Sequence, residues 1–395
     1  MKLPGALGQL TYCLNIHPTQ TVAEVMSALA GPAAEVKAKV APNEAFAIGL
    51  RFSGEALAEL VDPVKRAQLK SLLDQENFHA VTVNGFPFGR FHGTRVKEEV
   101  YQPDWRSEER VHYTNALADL MTELASEGEM VSLSTVPGAF KPLSVGAEAQ
   151  IADNILRSVA HLAALRARTG VTVALAIEPE PACFLETIAE STAFFIDHLF
   201  SPAAAARIAE LTELSVEEAA GALPRHLGLC YDVCHAAVEY EDPATSISAL
   251  RAAGIPIHKL QLSAALLIPR VTAEARDALS AFAEPTYLHQ VIRRTPETLK
   301  LEVDLPDALA LGAITDGEEW RVHFHVPVFI RDLGALYSTR DFLVAILAIH
   351  RENPISPHLE IETYTWGVLP DSVRGATVAD DISREFAWVL GELAR

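Results

Sequence analysis

Four oxygen-bearing side chains stand at or near the ends of short apolar runs. Glu178 follows Val171–Ile177, Asp232 closes Leu227–Asp232, Gln261 lies in Ile257–Ser263 and Glu362 in His358–Thr363. Three carboxylates brought to one place with no basic neighbour in sequence repel one another unless they are protonated or bind a metal. The pattern therefore points to one divalent cation held by Glu178, Asp232, Gln261 and Glu362. Oxygen-rich ligands favour Mn2+, Mg2+ or Co2+, and an added imidazole favours zinc or iron. Mn2+ is the first expectation, with Mg2+, Co2+ and Zn2+ as alternatives. One acid at a strand end is as often a helix cap or an ion pair; the joint pattern carries the argument. Glu360 shares a strand face with Glu362 because strand side chains alternate, and it lies deeper or, if the register slips, is itself the ligand.

His235, three residues after Asp232, could be a general acid or base, a substrate contact, a ligand of a second metal or a cap on the next helix. His323 and His325 share a face with Phe324 opposite, either as a paired site or as satisfied core imidazoles. The expected catalytic set is Glu178, His235, Glu362 and His323. Asn84, His92, Lys259, His325 and Trp366 are expected to touch substrate, with Arg51 and Arg321 as further anchors or plain ion pairs. Phe86, Phe88, Phe91, Trp105, Tyr364 and Trp366 would give the site apolar walls.

The elements that must position these groups alternate. Strands are expected at Thr11–Ile16, Phe46–Phe52, Phe78–Asn84, Met130–Thr135, Val171–Ile177, Leu227–Asp232, Ile257–Ser263 and His358–Thr363, separated by amphipathic or Ala-rich stretches at helical spacing. Strands this far apart cannot be hairpins, and Val171–Ile177 is almost wholly apolar, as a parallel strand covered on both faces should be. No glycine-rich phosphate fingerprint follows the first strand, so a closed (β/α)8 TIM barrel is preferred to an open doubly wound sheet. Residues 264–337 form a long insertion after the seventh strand, with small extra strands expected around Tyr287–Gln290, Leu301–Leu305 and Arg321–Val328. In a barrel such a loop covers the catalytic face. The chain reads as a single barrel domain over residues 1–395.

The chain of 395 residues is 49% hydrophobic, with a formal net charge of −20. That field repels phosphate backbones and anionic lipid, which argues against nucleic acid and membrane partners. Met1–Leu10 lacks the features of a secretory signal, so a cytoplasmic protein is expected. Its four cysteines are scattered and read as reduced thiols, three of them in or beside buried strands.

At Glu178, Asp-Val-Cys-His from Asp232 to His235 and Ile-Glu-Thr at Glu362 the chain resembles the xylose isomerase-like TIM-barrel superfamily. The segments Leu-Thr-Tyr-Cys-Leu-Asn-Ile-His-Pro, Val-Asn-Gly-Phe-Pro-Phe-Gly-Arg-Phe-His-Gly, Tyr-Gln-Pro-Asp-Trp, Ser-Thr-Val-Pro, His-Phe-His-Val-Pro-Val and Glu-Thr-Tyr-Thr-Trp more closely resemble the EboE family, named for metabolite traffic. The resemblance places the superfamily's metal ligands on Glu178, Asp232, Gln261 and Glu362. Glutamine at 261 matches the dehydratase branch, whereas many epimerases have histidine there. It implies a metal-dependent isomerase, epimerase or dehydratase acting on a small polyhydroxylated metabolite: a sugar, keto-sugar or cyclitol of secondary-metabolite precursor chemistry. Two competitors stay open, a phosphoesterase of endonuclease IV type and a non-catalytic metabolite-binding or scaffold barrel. A homo-oligomer and partner proteins of the same pathway also stay open.

Overall fold

Apolar runs too short for helices, each followed by an amphipathic stretch, build the strands of the computed structural model, which describes all residues except 94, 127, 313, 315, 316 and 370–372. They are β1 (Gln9–Tyr12), β2 (Phe46–Arg51), β3 (Phe78–Asn84), β4 (Met130–Thr135), β5 (Thr172–Ile177), β6 (Leu227–Asp232) and β7 (Ile257–Leu262). After them come β8 (Ala264–Ile268), β9 (Val291–Arg294), β10 (Leu299–Glu302), β11 (Glu319–Val326), β12 (Asp332–Leu333), β13 (Leu336–Ser338) and β14 (His358–Ile361). One sheet runs β1-β14-β7-β6-β5-β4-β3-β2, every pair in it parallel. A parallel bridge from Cys13 to Gly49 brings its two ends together. This is a (β/α)8 barrel. The helix Glu148–Thr169 stops at Gly170, whose φ of 75° is the left-handed turn expected after a helix.

The barrel interior departs from the branched apolar filling usual for this architecture. Lys259 and Glu360 form a fully buried ion pair, and Lys259 Nζ also donates to Ser134 Oγ at 3.2 Å. Gly49 makes room for the pair, since a Cβ there would stand 1.6 Å from Glu360 Oε1.

Residues 264–338 leave the barrel through Ser263 and build a second sheet in the order β10-β9-β11-β8-β13-β12, its strands antiparallel. Three expectations are corrected. Tyr287–Gln290 is not a strand: backbone N–H groups there go to side chains, Tyr287 to Glu284 Oε1 and His289 to Asp304 Oδ1. The run expected at Leu301–Leu305 stops at Glu302, because Asp304 caps the helix Leu305–Leu309. The first strand ends at Tyr12, and Leu14–Ile16 turns into a 3-10 helix that buries Asn15 at the barrel mouth. All four cysteines are free and buried. Among the described residues no helix is long and apolar enough to cross a membrane.

Candidate metal and proton-transfer site

Three parallel strands set the acids, β5, β6 and β14, with β7 between the last two. Glu178 is the first residue past β5, its N–H bonded to Thr135 O at 3.1 Å. Asp232 ends β6 and caps the next helix, one carboxylate oxygen accepting from His235 N at 2.9 Å. Glu362 lies just past β14, its N–H bonded to Leu262 O at 3.1 Å. One oxygen from each of Glu178, Asp232 and Glu362 lies within 4.8 Å of the others, and all three residues are buried. Burial first, then the charges of Glu362 and Asp232, push the Glu178 carboxyl well above the carboxylate range. Glu362 is pushed up in the same way by burial and by Asp232, and Asp232 is raised by burial.

The nearest compensating cation is already spent. Burial, the largest single influence, would discharge Lys259, but the acidic groups around it, Glu360 first among them, together outweigh burial and hold the ammonium charged. Glu178 Oε2 and Asp232 Oδ2 have no hydrogen-bond partner. Buried, crowded and partly unpartnered carboxylate oxygens are what a divalent cation satisfies. The residues present fit one.

Beside the acids stand His235, from the first helical turn after β6, and His323 and His325 from β11. His323 Nε2 lies 3.1 Å from His235 Nε2 and 3.1 Å from His325 Nε2. Burial holds all three below the usual imidazole value, at about 4 for His235 and His325 and well below it for His323. They are neutral at pH 7.

The cavity they face encloses about 490 Å³ of space counting its open mouth, and it is lined by Phe86, Phe91, Tyr287 and Tyr364 as well as by Glu178, Glu180, Glu362 and the three histidines. Glu180 lies outside the expected set, although Glu-Pro-Glu-Pro from Glu178 to Pro181 advertises a second carboxylate two residues on. Its Oε1 accepts from Tyr101 Oη at 2.6 Å and its Oε2 has no partner. Burial raises it to about 7 against the pull of the bonds from Tyr101 and Gln290.

Of the expected substrate contacts, only His325 lines this cavity. Asn84 instead donates to Glu362 Oε1 at 3.0 Å and accepts from Ser134 Oγ. His92 backs the wall, bonded to Asn15 O and, at 2.7 Å, to Tyr287 Oη. Lys259 is held beneath the acids by Glu360. Trp366 is core, as is Trp105, whose indole donates to Thr135 Oγ1. Arg51 clamps the backbone at Thr19 and Pro87, and Arg321 stacks on Tyr240 with its carbon 3.9 Å from the ring centre. Gln261 pairs in register with Asp232 and Glu360, but its amide oxygen accepts from Cys230 Sγ at 2.9 Å and it does not line the cavity. The fourth expected ligand is thus turned to another partner.

No family model and no curated protein matches the chain. Among solved structures, a D-tagatose 3-epimerase-like protein matches with a TM-score of 0.50 at 13% identity, over 98% of this chain and 100% of that one. The probable 3-DHS dehydratase AsbF of Bacillus anthracis, involved in petrobactin synthesis, matches at 13% identity over 98% and 99% of the two chains, TM-score 0.47. A xylose isomerase domain protein from Planctomyces limnophilus matches at 12% identity over 91% and 90%, TM-score 0.48. The likeness shows the fold, a TIM barrel.

Proposed function

We propose that the chain is a divalent-metal-dependent isomerase, epimerase or dehydratase acting on a small sugar, keto-sugar or cyclitol, working in the cytoplasm. The observation that carries this reading is the buried trio Glu178, Asp232 and Glu362, its oxygens within 4.8 Å of one another at the C-terminal ends of barrel strands. A cation bound there, Mn2+ by first preference, would polarise a carbonyl and a neighbouring hydroxyl and stabilise the charge left by proton loss. The chain's own groups do the rest. Glu178 or Glu362 takes the proton next to the carbonyl, and His235 or His323, neutral at Nε2, handles the second proton. Glu180, with a carboxyl near neutrality, is a further proton carrier beside them.

The aromatic wall suits the apolar face of a sugar ring and sheds water from the reacting centre. No Lys or Arg is among the described residues that line the cavity, which favours an uncharged polyhydroxylated substrate over a phosphorylated one. The matched barrel described as D-tagatose 3-epimerase-like is in keeping with this class. The sequence resemblance to the EboE family supports a place in secondary-metabolite precursor chemistry or trafficking. One observation favours a second reading, metal-dependent phosphoester hydrolysis: three imidazoles, not one, surround the site. The missing basic side chains weigh against it.

The test is solvent-deuterium incorporation into a panel of keto-sugars and cyclitols by protein loaded with Mn2+, run beside a phosphodiester substrate and beside Glu178→Gln. Exchange lost in the variant, with the fold unchanged by circular dichroism, is the expected result. Phosphodiester hydrolysis without exchange would replace the reading by the second one.

A further inference from the structure

We infer that Gln290, a buried residue of the insertion that does not line the cavity, is the positioning residue that fixes the tautomer of His323 and makes its Nε2 the nitrogen that moves a proton. The pairing is set by the backbone. Val291 opposes Val322 in the antiparallel ladder of β9 and β11, and the ladder runs one residue further, with His323 N donating to Gln290 O at 2.8 Å. The two residues are held side by side, and Gln290 Oε1 lies 2.6 Å from His323 Nδ1.

The direction of every bond behind His323 follows from one group that can only accept. Pro181 O takes a hydrogen from the Gln290 amide nitrogen at 2.9 Å, so the amide cannot turn over and Oε1 is the atom that faces His323. That oxygen has no hydrogen to give. His323 Nδ1 therefore carries one, and in the neutral ring Nε2 presents a lone pair. The other amide hydrogen goes to Tyr101 Oη at 2.9 Å, which leaves the phenol hydrogen for Glu180 Oε1 at 2.6 Å. Imidazole, amide and phenol thus donate in one direction, ending on the Glu180 carboxyl.

The opposite tautomer has somewhere to go, which is why it must be prevented. His323 Nε2 stands 3.1 Å from Nε2 of His235 and from Nε2 of His325, and those two rings spend Nδ1 on backbone oxygens, Pro179 O and Glu362 O. An Nε2–H on His323 would be spent on one of their lone pairs, and the ring would have no nitrogen left to accept a proton at the cavity. Holding an imidazole by the nitrogen that does not react is what a general acid–base histidine requires. The inference rests on the proposed reading for the proton that His323 moves; the tautomer itself does not.

The experiment is long-range proton–nitrogen NMR on the full chain, labelled at the histidine ring nitrogens and stripped of metal, with the His323 signals assigned by their absence from His323→Gln. A ring nitrogen that carries hydrogen and one that does not resonate far apart, so the spectrum reads the tautomer. Wild type is expected to show His323 protonated at Nδ1 alone. Gln290→Met, of similar size and without an acceptor, is expected to move the hydrogen to Nε2; Gln290→Glu, which keeps an oxygen for Nδ1, is expected to leave it in place. Deuterium exchange on a keto-sugar or cyclitol that the wild type accepts is the second readout, with kcat about 100-fold lower in Gln290→Met at little changed KM, and largely restored in Gln290→Glu. A merely structural Gln290 would rank the two the other way, because a buried charge costs more than an apolar side chain of the same size. Circular dichroism selects the folded variants, and the wild-type spectrum decides the tautomer where a variant does not fold. Hydrogen on Nε2 in wild type, an unmoved tautomer in Gln290→Met, or a glutamate variant slower than the methionine one would each overturn the inference. The expected tautomers without exchange on any substrate would uphold the tautomer and sink the proposed reading instead.

Discussion

Asn15 and Glu362 are 347 positions apart in the chain, and Asn15 Nδ2 donates to Glu362 Oε1 at 2.6 Å. Asn84 Nδ2 donates to the same oxygen at 3.0 Å. Two amides from different parts of the barrel, one in the turn after β1 and one ending β3, fix the orientation of a carboxylate that the neighbouring charges would otherwise repel.

These amides hold a ligand of the proposed cation. Asn15→Ala or Asn84→Ala is expected to weaken Mn2+ binding roughly 10–100-fold, the usual effect of losing a partner behind a metal ligand, with the fold retained. Isothermal titration of stripped protein checks this. Wild-type affinity in both variants would remove these residues from the metal site.

Cation binding should be visible as stability. The metal-free site keeps three carboxylates in mutual repulsion, so Mn2+ or Zn2+ at about 100 times its dissociation constant should raise the unfolding free energy by about 2.7 kcal/mol. Chelator should reverse the gain. Glu178→Gln should show little gain, since it removes a ligand and one of the charges that demand a cation. Denaturant midpoints with and without metal decide it, and an equal gain in wild type and variant would place the cation elsewhere.

Lys259 and Glu360 predict a different asymmetry. Removing one member of a buried pair leaves an uncompensated charge, so Lys259→Met should destabilise by about 3–5 kcal/mol. Adding Glu360→Gln should recover much of that loss, because the pair together gains little over uncharged groups once its desolvation is counted. Gly49→Ala should behave like the single variant, its Cβ contesting the space of Glu360 Oε1. Urea unfolding of the four proteins gives the comparison, and a double variant no better than Lys259→Met would refute the account.

The sequence made the barrel and its acids legible for a physical reason. A parallel strand covered on both faces is an apolar run, so a carboxylate at its end, as at Glu178 or Asp232, stands out. Alternation likewise put His323 and His325 on one face. Depth was not legible: Lys259 and Gln261 share a face of β7, but neither lines the cavity, Lys259 being held by Glu360 and the Gln261 amide oxygen accepting from Cys230 Sγ. Contacts between remote segments were equally hidden. Asn15 looked like the end of a strand, and nothing local joined it to Glu362. Trp366 looked like a wall residue because aromatic residues near a strand end serve the mouth and the core alike.

A second crowded acid lies away from the cavity. Glu239 packs near Glu186, Glu190 and Glu241, with Lys141 as the local cation, itself bonded to Glu186 and, at 3.0 Å, to Glu190. Burial first, and then the charges of Glu186 and Glu190, raise the Glu239 carboxyl to about 8, from 4.5 for the free group. Between those values the unfolded chain has released this proton and the folded chain still holds it, so the group's contribution to stability falls as pH rises through that window and is level below it. Glu239→Gln keeps the uncharged form at every pH. It should therefore match wild type near pH 4 and exceed it by roughly 1–3 kcal/mol at pH 8, since each tenfold change in proton affinity is worth about 1.4 kcal/mol and sets the upper limit. Urea unfolding of both proteins across that range is the check; parallel curves would mean that Glu239 ionises in the folded protein as it does in the unfolded chain.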